Sequence, residues 1–77
     1  MSRLAQELAE QLAIDTVDAA DKLGDETLTE TIAKSVGASS PTTEELFRTA
    51  VRTLVAERRA RRLLQEKLAV ITAPPPS

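Results

Sequence analysis

Residues 42–71, TTEELFRTAVRTLVAERRARRLLQEKLAVI, decide how this chain is read. They contain neither Gly nor Pro, so nothing in them breaks a helix. Phe47, Ala50, Leu54, Glu57, Arg61, Leu64, Leu68 and Ile71 follow one another in alternating steps of three and four. That is a 3.5-residue period, the seam of a helix that packs lengthwise against other helices. At 1.5 Å per residue the helix is about 45 Å long. The two central seam positions, Glu57 and Arg61, carry opposite charges. Buried charges are costly unless paired, and on a helical seam they serve to set register. Two pairings would satisfy them. A hairpin fold would bring Asp15 near Arg61 or Arg58, and an antiparallel homodimer would set Glu57 of one chain against Arg61 of the other.

Working outward, Thr42 and Glu45 have the spacing of a capping box at the start of this helix. Ser40 followed by Pro41 is the competing start. Before it, Leu28, Ile32, Ala33 and Val36 form the apolar face of a short helix over residues 26–36. Asp25 is its expected N-cap and Gly37 its expected stop. A first helix is expected over residues 3–23, capped by Ser2 and ended by Gly24. Leu4, Leu8, Leu12, Ala19 and Leu23 fall on one stripe of it, interrupted by Asp15. Ala5, Ala9, Ala13 and Ala20 lie beside that stripe and let another helix approach closely. Ala73, the prolines 74–76 and Ser77 cannot be helical and are expected to be extended or disordered. They read either as a frayed terminus or as a linker to a further domain.

These elements predict an all-α fold with a single domain over residues 1–72. It is a small three-helix bundle or helical hairpin with one long C-terminal helix, and the two shorter helices, laid end to end, match that helix in length. A chain of 77 residues buries only about 60% of the surface it exposes when unfolded, and domains this small usually need a staple. With no Cys and no His, disulfides and common zinc sites are excluded, and the carboxylates match no EF-hand loop. Neither metal nor cofactor is expected. Self-association is the remaining staple, and the single aromatic residue, Phe47, strengthens that expectation. The N-terminal region lacks the apolar run of a secretory signal, and no stretch approaches the roughly 18 apolar residues of a membrane helix. A cytoplasmic protein that does not contact the membrane is expected.

An enzyme is not expected. The commonest general base is missing, as is any Ser–His or Cys–His pair. Gly24 and Gly37 are the only glycines, so no Gly-rich phosphate loop exists. No pocket of small-molecule size, about 300 Å³ or more, is expected between three short helices.

Charge is divided unevenly. Residues 1–41 hold three basic and eight acidic residues, net −5, and residues 42–77 hold seven basic and four acidic, net +3. Such halves attract one another within one molecule or across two. Arg58, Arg59, Arg61 and Arg62 are the densest cluster of charge, and Arg48, Arg52, Arg59 and Arg62 share a face away from the seam. One reading is a solvated face whose arginine stems cover apolar surface, with Glu57/Arg61 and Arg62/Glu66 as ordinary pairs one turn apart. The functional reading makes Arg48, Arg52, Arg58, Arg59, Arg61 and Arg62 a partner-binding surface. Six arginines to one lysine favour a partner with carboxylates or phosphates in defined geometry.

Ile32-Ala33-Lys34-Ser35-Val36-Gly37-Ala38-Ser39 resembles the middle of a helix-turn-helix. The resemblance implies that Gly37 makes the turn, that Ser39 opens a recognition helix, and that DNA is the ligand. The sequence departs from the pattern at Pro41, Glu44 and Glu45, since acidic residues in the first turns repel phosphate. The expected function is therefore a non-enzymatic protein–protein contact, as a small adaptor, regulator or docking domain. It would run through residues 48–67, with an acidic protein surface as partner and a homodimer as the expected assembly. The alternative is a small helix-turn-helix DNA-binding regulator. A third reading is a structural subunit of a larger assembly.

Overall fold

The computed structural model describes residues 3–72. They form three α-helices, α1 (Arg3–Leu23), α2 (Leu28–Ser39) and α3 (Pro41–Thr72), and no strand. The fold is all-α. The proposed Ser2 cap and the proline-rich segment 73–77 lie outside the described residues.

The end of α1 matches its sequence. Gly24 takes φ +64°, and the Asp25 N–H donates to the Ala20 carbonyl at 3.1 Å. This satisfies an otherwise orphaned carbonyl in the left-handed turn that glycine adopts without strain.

The bounds of α2 correct the sequence reading at both ends. Asp25 is not its N-cap. The Asp25 carboxylate instead accepts from the Thr27 N–H at 2.9 Å and from the Thr27 hydroxyl at 2.8 Å, closing the connector as an Asx turn. The helix begins at Leu28, with Thr27 at the N-cap making no side-chain capping bond. Gly37 does not stop α2, which runs on to Ser39. A glycine inside a helix costs about 1 kcal/mol relative to alanine, and here the Glu44 side chain of α3 lies in the space it leaves open. A Cβ at Gly37 would collide with the carboxylate of Glu44 on α3.

At the start of α3 the Ser40–Pro41 alternative prevails. The Ser40 hydroxyl accepts from the Thr43 N–H at 3.1 Å, and the Ser40 carbonyl accepts from the Glu44 N–H at 3.0 Å. Pro41, with fixed φ and no N–H, suits the first helical position. The Thr42/Glu45 capping box does not form.

The chain reverses at residues 24–27 and again at Ser40, so α1 and α3 run in the same direction with α2 against them. Accordingly, Glu10 shares a groove with Leu46 near the start of α3, and Asp18 reaches Arg58 further along it. The core is a small cluster of Ala9, Ala13, Ala33 and Phe47, with Leu12, Ile32, Leu46, Ala50 and Val51 packed on it. The alanines of α1 thus face inward. Leu4, Leu8 and Leu23, expected on the packed stripe, are exposed. Small residues let α1 come close enough to surround the one aromatic ring, and the leucines are rotated outward as a result.

Because α1 and α2 lie side by side rather than end to end, they cover only the first part of α3. Residues 59–71 are all exposed. The radius of gyration is 16.6 Å, against about 11.5 Å for a compact domain of this length.

Candidate functional site

The exposed stretch of α3, residues 59–71, forms its distal half. It begins just after Arg58, whose guanidinium lies 2.9 Å from Asp18 and 3.9 Å from Asp21 of α1. Beyond that point the seam predicted from sequence continues on the surface. Leu64 is 55% exposed and Ile71 80% exposed, with Leu63, Leu68 and Val70 also open to solvent. Leu64, Leu68 and Ile71 share the seam face, and Leu63 and Val70 lie on the other side of the helix.

The six arginines divide into two groups. Arg48 is fixed to the body of the fold. It donates to both oxygens of Glu30 on α2, at 2.7 and 3.0 Å, and to Glu44 one turn earlier at 2.8 Å. These hydrogen bonds, to Glu30 first and Glu44 second, raise the pKa of Arg48, and the same guanidinium holds Glu30 below the usual carboxylate value. Arg58 is tied to α1 by Asp18. Arg61 pairs within its own helix, its Nε donating to Glu57 at 2.6 Å. Arg52, Arg59 and Arg62 have no ion-pair partner among the described residues and are exposed. The Arg62/Glu66 pair does not form.

The intramolecular pairing sought for Asp15 is likewise corrected. Asp15 accepts from the Gln11 side chain at 3.1 Å, and Asp18, one turn on, meets Arg58. A parallel α1 presents its later acidic residues, rather than its middle, to that arginine.

Sequence reasoning missed a groove of about 990 Å³ between α1 and α3, which overturns the expectation of no pocket of small-molecule size. Its floor is apolar, from Ala13 and Ile14 of α1 and Leu46, Ala50 and Leu54 of α3. Three carboxylates line it, Glu10, Glu45 and Glu57, and no Lys or Arg does. It is open to solvent along its length and continues into the stripe that carries Leu64. The signal for it was present in the half-polar row Leu46, Ala50, Thr53, Glu57, which takes in two of the seam positions. It had no meaning until the direction of α1 was known.

The helix-turn-helix resemblance meets a different local geometry. Gly37 is helical, and a single residue, Ser40, joins α2 to α3, where such motifs use a turn of three to four residues.

Among the described residues, no group of His, Cys, Asp or Glu is arranged to hold a metal ion, and no helix is long and apolar enough to cross a membrane. No family model, curated protein or solved structure matches this chain.

Proposed function

We propose that this chain is a small cytoplasmic three-helix bundle that acts as a non-enzymatic protein–protein interaction module, with the distal half of α3 as its contact surface. One observation carries the reading: residues 59–71 are exposed along about 20 Å of helix and combine apolar side chains with unpaired arginines. A helix laid into a partner's groove is a recurrent recognition mode, with anchors one turn apart supplying most of the energy. Leu64, Leu68 and Ile71 are such anchors, and Arg59 and Arg62 lie on the same stretch of helix, on the face away from them. Arginines without intramolecular partners favour an acidic surface around the partner's groove. Arg48 and Arg58 belong to the body of the fold, so the contact surface lies further along α3 than the arginine-rich segment alone implies.

The test is capture from native lysate, with and without nuclease, using the wild type, Leu64→Glu, and a double Arg59→Ala/Arg62→Ala variant. A bound protein that survives nuclease and is lost with either variant supports the proposal. Recovery of nucleic acid, with every bound protein released by nuclease, would replace it with a DNA- or RNA-binding role.

A further inference from the structure

Resting on this reading of the distal half as a contact surface, we infer that its occupant is a second copy of the same chain. The distal half of each α3 lies antiparallel in the α1–α3 groove of the other, and a twofold axis relates the two.

Charge is the first argument. The groove is lined by Glu10, Glu45 and Glu57 with no basic residue. The distal half carries Arg59, Arg61, Arg62 and Lys67 against Glu66 alone. Each chain therefore holds both members of a complementary pair, at opposite ends of one helix. Within one chain only Glu57 and Arg61, one turn apart, meet; the continuous α3 helix, about 48 Å long, holds Glu10 and Glu45 away from Arg62 and Lys67.

Register is the second argument. In an antiparallel seam one alignment sets Glu57 against Arg61 of the second copy, and by symmetry Arg61 against Glu57 of the second copy. The same alignment places Leu64 against Leu54 of the second copy, Leu68 against Ala50, and Ile71 level with the buried Phe47, next to Leu46. Leu54, Ala50 and Leu46 are the half-buried residues that floor the groove, and Leu64, Leu68 and Ile71 are exposed. Sliding one chain by a heptad in either direction sets Glu57 and Arg61 against Leu or Ala, which leaves charges on an apolar seam. The charged pair at the centre of the seam thus selects a single register, a role such polar positions fill in helical assemblies.

Closure is the third argument. The groove and the segment that fills it are on the same chain, and a twofold arrangement uses both on each copy. The contact is isologous and stops at two chains. It covers the exposed seam and enlarges a core that otherwise holds one aromatic ring.

Sedimentation equilibrium with two charge variants tests this. The wild type is expected at twice the 8.3 kDa chain mass. Glu57→Arg alone sets like charges across the axis, as does Arg61→Glu alone, and each is expected to run as a monomer. Both positions are exposed, so each variant should retain helical circular dichroism. An equimolar mixture of the two is expected to recover a dimer. Positions 57 and 61 are then both arginine in one chain and both glutamate in the other, so opposite charges meet again across the seam. Pairing confined to one helix gives no such rescue. A wild type that stays monomeric at millimolar concentration overturns the inference, as does a dimer that both single variants leave intact, or a mixture that stays monomeric. If the wild type is monomeric while lysate capture still depends on Leu64, the dimer is wrong and the proposed interaction function stands.

Discussion

Asp18 of α1 and Arg58 of α3 approach to 2.9 Å, and every residue of α3 from 59 to 71 is exposed. The pair marks where the packed body of the protein ends and the projecting helix begins. It is partly exposed, with side-chain accessibilities of 35% for Arg58 and 50% for Asp18. Such a pair stabilises by about 0.2–1 kcal/mol. Arg58→Ala should therefore lower stability only slightly, and amide hydrogen exchange should rise locally in the turn around residue 58. A loss of several kcal/mol would mean that the body extends further along α3.

Among the described residues, Phe47 is the one large side chain that is fully buried. Truncating a buried phenylalanine to alanine costs about 3–5 kcal/mol, and a chain of this length has about 4–12 kcal/mol in total. Phe47→Ala should lower the thermal midpoint steeply by circular dichroism, with Phe47→Leu retaining more of the stability. A Phe47→Ala protein that melts like the wild type would contradict the assignment of the core.

The start of α3 yields a paired prediction. Ser40 makes the capping bond and Thr42 does not, so Ser40→Ala should cost about 1 kcal/mol and Thr42→Ala should be close to neutral. Urea unfolding of the two variants checks the order, and the reverse order would restore the Thr42/Glu45 capping box.

Acid should weaken the fold through two carboxylates. Glu30 is held below its ordinary value of 4.5, first by its hydrogen bond from Arg48, and Asp25 below 3.8, first by its hydrogen bond from the Thr27 side chain. A carboxylate whose folded pKa is depressed contributes stability above its unfolded pKa and loses it as pH falls through the folded value. The thermal midpoint should thus be flat above about pH 5 in respect of these groups and fall below about pH 4. Arg48→Gln should remove the Glu30 part of that fall, and an unchanged acid profile in this variant would dissociate Glu30 from it.

Much of this architecture is legible in the sequence because punctuation is local. The Gly24 turn, the Ser40–Pro41 start and the uninterrupted seam from Phe47 to Ile71 each depend on a few neighbouring residues. What was not legible depends on how helices meet. Leu4, Leu8 and Leu23 look like core by hydropathy, yet Ala9 and Ala13 fill that place, because closeness of approach around Phe47 outweighs side-chain size. Gly37 looks like a stop, but it is a point of contact with Glu44. Arg48 and Arg58 look like part of one basic patch with Arg59 and Arg62. Acidic residues far away in sequence, Glu30 and Asp18, draw them into the body of the fold. The groove could not be read at all until α1 and α3 were known to run in parallel.

The most direct test of the distal half of α3 as an association surface is hydrogen exchange of the wild type, followed by peptide across a range of protein concentration. Residues 59–71 should exchange rapidly when dilute and gain protection as concentration rises, together with the α1 and α3 segments around Ile14 and Leu46. Rapid exchange of residues 59–71 that does not change with concentration, while the core around Phe47 stays protected, would contradict self-association through this helix.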